Sequence, residues 1–539
     1  MSHHNNKLFL SGDEAVALAA KHAGVALGIG YPGTPSTEIL EFFSELGGNA
    51  QWSPNEKVAL EVGIGVAFSK SRALVTMKHV GLNVASDPLF SVAYTGVDGG
   101  LVIVSADDPG MASSQNEQDN RRYAVAAGVP MFEPSDSQEA YDFTLAAYEI
   151  SERFKIPVLM RMTTRVCHSK CVVLAREKPL DVPQPDYVKN AQNNVLIPAY
   201  ARPAHKRLRQ KLNQLKEWSE TCPYNTAIIK STQLGIITSG VSYVHVSEAF
   251  PEASILKLGF THPLPVNKIR EFVNSVARCV VVEEGDPYLA ENIRALGLNV
   301  EDKDESFRFG ELNVERVRKI VNREQEEERK IPPGKAPQLC DGCQYRVVYD
   351  TLSRIGCIVT GDIGCYTLGV LPPFSAMDTC LCMGASIGVG LGLRHTLPPE
   401  KAKKVVSVIG DSTFIHSGIT GVVEMVYNPP PTGHVLIILD NGTTAMTGLQ
   451  EHPGTGRKLD HEPTNKVVIE DLVKSIGVKN VHIVEPRVGS DSFERVLLDA
   501  LNKEELTVII ARRPCLLASK KLKEYEKCED KQKEIRVAK

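Results

Sequence analysis

An α/β architecture of three parallel-sheet domains is the fold class this sequence predicts, and three observations predict it. Short runs rich in Val, Ile and Leu recur along the chain, among them 405–409 and 435–439. Helical patterns separate these runs, and turns bearing Gly, Pro, Asp or Asn close them. The length, 539 residues, exceeds what one ordinary core holds. Strands alternating with helices pack as parallel sheets covered on both faces.

The first domain is expected over residues 7–185, with strands at 26–31, 73–77, 101–106 and 157–162. Helices are expected over 12–23, 36–46, 56–68 and 137–154. A Pro-rich and then basic connector follows to about 225, and its 206–218 part reads as an exposed helix with a solvated, charged face. A second, smaller α/β domain spans 226–323, with strands at 234–238, 254–258 and 279–283. The charged run 323–330 and Ile331-Pro332-Pro333-Gly334 read as a linker. The third α/β domain spans 338–515, and a tail rich in Lys and Glu occupies 516–539.

Apolar content of 42% and charged content of 23% are ordinary for a globular protein. A net charge of −4 leaves no basic surplus to neutralise phosphates, which argues against nucleic acid as a partner. No apolar run approaches the roughly 18 residues of a membrane span. The polar start, Met1 to Asn6, has no signal-peptide core, so a cytoplasmic protein is expected. Twelve cysteines are many for such a chain. In that setting, metal or cluster ligation and plain core positions outrank a disulfide framework. Cys279, inside a strand-like run, is expected to be buried and inert.

The chemistry concentrates after two apolar runs of the third domain. Gly410-Asp411-Ser412 closes one, and Asp440-Asn441-Gly442-Thr443-Thr444-Ala445-Met446-Thr447-Gly448 closes the other. Ligands of parallel sheets collect at the carboxyl ends of the strands. Mg²⁺ wants octahedral oxygen ligands and keeps phosphate oxygens among them. Asp411 offers a carboxylate, Asn441 an amide oxygen and Thr443 its carbonyl. Ser412 and Thr413 offer hydroxyl and N–H donors to phosphate. Either segment alone is an ordinary turn. Together they read as a metal-bridged diphosphate site of the kind that holds thiamine diphosphate (TPP).

This wording resembles the 2-oxoacid:ferredoxin oxidoreductases, and within them the α subunits of the indolepyruvate (arylpyruvate) branch. Further stretches carry the resemblance: Gly30-Tyr31-Pro32-Gly33-Thr34-Pro35-Ser36, Asn55-Glu56-Lys57-Val58-Ala59-Leu60-Glu61, Met77-Lys78-His79-Val80-Gly81-Leu82-Asn83, and Cys340-Asp341-Gly342-Cys343. It covers about residues 7–515. It implies a TPP pyrimidine-binding domain at 7–185, a transketolase C-terminal-like domain at 226–323 and a diphosphate domain at 338–515. It also implies a cofactor that bridges two domains or two copies of the chain.

Read from its residues alone, Glu56 is a first-turn acid behind an Asn55 N-cap. The resemblance makes it the carboxyl that activates the TPP aminopyrimidine, with Glu61 the weaker candidate. Thr34 sits in a strand-to-helix turn where Ser36 is the expected N-cap, and the resemblance implies that it contacts the 2-oxoacid. Lys78 and His79 end a strand, facing the substrate carboxylate or, for His79, filling a structural place. Gly384, in Met383-Gly384-Ala385-Ser386, permits close approach of backbone to the cofactor.

Cys340 and Cys343 form a CxxC pair, with Cys365 and Cys515 following. In the family such positions hold one [4Fe–4S] cluster, which needs four thiolates. A Cys₄ zinc site is the rival and usually shows two close pairs. Cys357, Cys380 and Cys382 fit core or cofactor-lining roles better. Two departures stand out. Gly-Asp-Ser replaces the usual Gly-Asp-Gly, and no ferredoxin-like run of cysteines follows, Cys528 standing alone in the tail.

The implied activity is oxidative decarboxylation of aryl pyruvates or similar aromatic 2-oxoacids, with coenzyme A as co-substrate. The implied assembly is a heterotetramer or larger, with a smaller β subunit that supplies a γ-like domain and with ferredoxin or another electron-carrier subunit. Two alternatives are a non-oxidative TPP decarboxylase or carboligase, which needs no cluster, and a catalytically inactive scaffold subunit.

Overall fold

The computed structural model describes residues 7–176, 179–326, 337–520 and 525. Cys528, residues 327–336 of the expected linker and most of the charged tail lie outside the described residues. The chain forms two compact units, Met1–Lys330 and Ile331–Lys539.

Strands of the first unit are β1 (Lys7–Ser11), β2 (Leu27–Gly30), β3 (Ala50–Trp52), β4 (Ala73–Lys78), β5 (Leu101–Asp107), β6 (Met131–Phe132) and β7 (Val158–Thr163). They continue with β8 (Lys170–Leu174), β9 (Asn225–Ile228), β10 (Leu234–Ser239), β11 (Ser254–Leu258), β12 (Phe260–His262) and β13 (Arg278–Val282). The main sheet has seven strands in the order β12-β6-β7-β5-β4-β2-β3. All its pairs are parallel except β12 with β6. Central β5 is buried along its whole length, which explains the apolar run Leu101–Val104 at its start. The helices Glu56–Phe68 and Ser137–Phe154 fall where the periodicity puts them. Asn55 caps the first, accepting from the Val58 amide at 2.9 Å.

Strands β13-β10-β11-β9 form a second sheet, antiparallel only at β9. Strand β12 follows β11 directly yet pairs with β6 of the main sheet. Arg121, fully buried, links the two sheets through Asp119 at 2.5 Å and Glu283 at 2.6 Å. A buried guanidinium is tolerable only when carboxylates surround it. Burial opposes the charge of Arg121, but Asp119 and Glu283 outweigh it and raise its pKa. Cys279 is buried, and burial pushes its thiol up to about 12, so it is inert as expected.

Two local expectations need correction. The helix Pro198–Ser219 is longer than the charged segment that announces it, and it is not wholly exposed. Ala204, Leu208 and Leu215 are buried, and Trp218 packs edge-on against Phe260 at 4.9 Å. Ser36 does not cap its helix. Its hydroxyl donates to the Gly33 carbonyl at 3.0 Å, while Thr37 Oγ1 accepts from the Gly33 amide at 2.9 Å. The turn closes on itself, so the Ser36 oxygen points away from the helix amides.

Strands of the second unit are β14 (Ile358–Thr360), β15 (Val405–Gly410), β16 (His434–Asp440), β17 (Asn480–Val484) and β18 (Leu506–Arg512). Their order is β14-β15-β16-β18-β17, parallel throughout. Each face carries its own apolar cluster, Val406, Val408 and Ile437 toward one and Ile409, Leu436 and Ile438 toward the other. Each fully buried side chain of this kind contributes about 1.5–3 kcal/mol, which makes the sheet a rigid base for the loops at its carboxyl edge. Among the described residues no helix is long and apolar enough to cross a membrane.

Candidate functional site

Three neighbouring strands of the second unit, β14, β15 and β16, deliver acidic or amide side chains at their carboxyl ends. Asp411 opens the helical segment after β15, which passes through a π-type turn, Phe414–Gly418, before α geometry resumes at Ile419–Tyr427. Such turns break helical regularity and are frequent at functional sites. Asp411 Oδ1 accepts from the Ser412 amide at 2.9 Å. Its Oδ2 accepts from the amides of Gly442 at 2.8 Å and Asn441 at 3.2 Å. His452 Nε2 lies 3.3 Å from the same oxygen. Burial opposes ionisation, but His452 and the amides outweigh it and hold the carboxyl below its usual range.

Asn441 Oδ1 accepts from the Thr443 amide at 3.0 Å, and Thr443 Oγ1 donates to the Gln450 carbonyl at 3.2 Å. Asp411, Asn441 and Thr443 are therefore gathered into one small oxygen-rich loop pair. A Cβ on Gly442 would meet nothing within 4 Å, so the space before the loop is open. Ser412 and Thr444 join through their hydroxyls at 2.9 Å. The Thr413 hydroxyl faces the other way, donating to the Ile363 carbonyl at 3.0 Å.

Asp362 follows β14 and is a further site residue that the sequence motifs do not single out. Its carboxylate accepts from the amides of Ile363 at 2.9 Å, Gly384 at 2.9 Å and Ser386 at 3.0 Å. It thereby fixes the Met383-Gly384-Ala385-Ser386 turn. Gly384 has φ +87°, and a Cβ there would sit 2.5 Å from Ser417 Cβ, so only glycine fits. A Gly-Asp pair after a short strand was the available signal. His452 gave no sequence signal, since it reaches Asp411 from a distant loop.

Cys340, Cys343, Cys365 and Cys515 belong to this same unit. The Cys343 amide donates to the Cys340 carbonyl at 3.1 Å, closing the CxxC turn. The Cys515 amide donates to the Asn441 carbonyl at 2.9 Å, which ties this cysteine to the Asp–Asn loops. Burial, then Cys515, Cys343 and Cys340, push the Cys365 thiol up to about 11. Burial, with Cys340 and Cys515 behind it, likewise raises Cys343. Cys380 and Cys382 instead lie within reach of Asp362.

In the first unit a second group of side chains gathers at the carboxyl ends of β2, β4 and β5. Glu56 is 5% exposed. Its side chain lies so close to Gly81 that a Cβ there would stand 2.6 Å from Oε1. Nothing in the local sequence marks Gly81 for this role. Lys78 borders Gly33, its stem 3.2 Å from where a Cβ would be, and its ammonium donates to the Ser113 carbonyl at 3.0 Å. Burial lowers its pKa against the pull of Asp108 and Glu56. Thr34, half-buried, stands beside Gly33.

His79 is fully buried, with Nε2 3.0 Å from the Asn116 carbonyl. A carbonyl only accepts, so Nε2 carries the proton and Nδ1 is a bare acceptor, buried without a partner. Burial keeps the imidazole neutral by lowering its pKa. Its own carbonyl accepts from Asn120 Nδ2 and Gln118 Nε2, both at 3.0 Å. Glu61 stands on the exposed face, paired with Lys57, away from this group.

The class to which these two α/β units belong, the TPP-dependent enzymes, is given by two family models. Residues 18–216 match the pyruvate flavodoxin/ferredoxin oxidoreductase, thiamine diP-binding model. Residues 362–511 match the thiamine pyrophosphate enzyme, C-terminal TPP-binding domain. Indolepyruvate oxidoreductase subunit IorA of Archaeoglobus fulgidus is 40% identical over 95% of this chain and 87% of its own length. The protein of the same name from Pyrococcus abyssi is 37% identical, over 95% of this chain and 86% of its own. The chain belongs to this family, the large subunits of TPP-dependent 2-oxoacid oxidoreductases. A 2-oxoglutarate:ferredoxin oxidoreductase from Magnetococcus marinus shares the fold, with a TM-score of 0.52 and 16% identity over 60% of this chain and 66% of that one.

Proposed function

We propose that this subunit oxidatively decarboxylates aryl pyruvates or related aromatic 2-oxoacids, passing the acyl group to coenzyme A and two electrons to an iron–sulfur carrier. The observation that carries this reading is the meeting of Asp411 with the Asn441–Gly442 loop at the ends of adjacent parallel strands. TPP supplies the chemistry a protein side chain lacks, a carbon nucleophile that also accepts the electron pair left by departing CO₂.

The chain's own residues do the rest. Asp411, Asn441 and Thr443 supply oxygen donors for Mg²⁺, and the donor set fits, because all three are oxygen and Asp411 is held ionised. Gly410, Ser412 and Gly384 would flank the cofactor, with Gly384 held in place by the Asp362 turn, whereas the Thr413 hydroxyl is spent on the Ile363 carbonyl. Glu56, buried against Gly81, would present its carboxyl to the aminopyrimidine ring of the cofactor. Thr34 orients the 2-oxoacid. The His79 Nδ1 lone pair accepts a hydrogen bond from bound substrate or water. The mutual influence of Cys340, Cys343, Cys365 and Cys515 supports one [4Fe–4S] cluster on these four thiolates. A smaller β subunit and ferredoxin, or a comparable carrier subunit, complete the assembly.

Anaerobic co-purification with partner subunits, iron and sulfide analysis, and a screen of 2-oxoacids with a viologen dye test this reading. Dye reduction dependent on an aromatic 2-oxoacid and coenzyme A is expected. Decarboxylation with neither dye reduction nor bound iron would instead identify a non-oxidative enzyme.

A further inference from the structure

We propose that Asp13, Glu38 and His168 form a binding site for one divalent transition ion of the Zn²⁺ class, separate from the TPP chemistry. One ligand atom from each of the three side chains lies within 4.8 Å of the other two. They come from three elements. Asp13 is in the first turn of the helix Gly12–His22, Glu38 in the first turn of the helix Thr37–Glu45, and His168 ends the short helix Thr164–His168 after β7. Gly12 makes the approach possible, since a Cβ there would lie 2.2 Å from the Val166 carbonyl oxygen.

Asp13 is the second, independent observation. It is 1% exposed, and neither carboxylate oxygen has a hydrogen-bond partner. It has no capping duty, because Ser11 and Glu14 already exchange reciprocal bonds at this helix start, 2.8 and 3.2 Å long. The neighbouring Cys167 thiol is only a weak donor. A buried carboxylate with only a thiol as donor and no counter-charge is costly. A divalent cation supplies the missing counter-charge and takes an Asp13 oxygen as a ligand.

Two carboxylates and one imidazole suit Zn²⁺ or its neighbours better than Mg²⁺. Glu38 and His168 are exposed, which leaves an entry path and a position for water. A bound ion would pin three helix ends beside the Tyr31-to-Ser36 turn, since Thr37 continues directly from it.

The test uses the full-length protein, loaded with TPP and Mg²⁺ and dialysed against buffered free Zn²⁺, with bound zinc counted per chain. Glu38→Gln and His168→Ala, both at exposed positions, are expected to weaken one zinc equivalent about tenfold or more and to leave zinc on cysteines unchanged. Crystals grown with Zn²⁺ are expected to show an anomalous-scattering peak among the three side chains. Wild-type stoichiometry and affinity in both variants, or zinc peaks only at cysteines, would overturn the proposal. Asp13→Asn extends the series where it folds, and the two surface variants decide the matter where it does not.

Discussion

Gly81→Ala is a single-methyl test of the Glu56 assignment. A Cβ on Gly81 would stand 2.6 Å from Glu56 Oε1, 2.8 Å from Cγ and 3.0 Å from Cδ. Ordinary contact begins near 3.4 Å, so Oε1 must retreat by about 0.8 Å. A misplacement of about 1 Å in a catalytic group costs about 100-fold in rate, equivalent to about 2.7 kcal/mol of barrier. Global stability is pulled both ways. The methyl favours the helix His79–Val84 by up to about 1 kcal/mol, while overpacking costs about 1–3 kcal/mol. The melting temperature therefore falls by a few degrees at most, while exchange of the TPP C2 proton slows about 100-fold. Proton exchange followed by NMR on the TPP-loaded protein reads this out. Glu56→Gln is expected to bind TPP and exchange slowly, and the double variant to exchange no slower than Glu56→Gln alone, because both changes disable one group. Wild-type exchange in Gly81→Ala, or additive losses in the double variant, would refute the reasoning.

Three further outcomes are expected. Asp411→Ala loses retention of TPP and Mg²⁺ by calorimetric titration, while circular dichroism stays native; undiminished binding would move the metal elsewhere. Cys365→Ser, made and purified anaerobically, loses the brown chromophore and most of its iron, whereas Cys382→Ser keeps both; iron retained in the first variant removes Cys365 from the ligand set. His434 is fully buried, and burial holds its pKa well below the ordinary 6.5. The unfolded chain binds a proton there that the folded chain refuses, so stability is full above pH 6.5 and falls as pH drops below it. Chemical denaturation of wild type and His434→Gln at pH 7.5 and 5.0 checks the sign, and the variant is expected to lose less.

Much of the candidate site is legible because its residues sit in contiguous words. Asp411 with Asn441, the Asn55 cap before Glu56, and the ends of β15 and β16 all follow from local rules about strands, turns and helix starts. Positions whose role depends on a distant neighbour were not legible. Gly81 reads as one more glycine until the Glu56 side chain is seen against it. Asp362 reads as part of a turn until its three amide partners are placed. Ser36 is of a residue type that favours caps, and the closure of the Gly33 turn on Thr37 overrides that preference.

By itself, the sequence determined which residue types stand at strand ends and helix starts, and hence the kind of coenzyme the chain accommodates. Those features are set within a few residues by backbone sterics and by the period of apolar side chains. Only the tertiary structure decided that β12 leaves its own segment to pair with β6, that Arg121 is buried between Asp119 and Glu283, and that Asp13 is buried beside Glu38 and His168. Each of these depends on contacts between residues far apart in the chain, where burial and charge compete through space and no local pattern records the result.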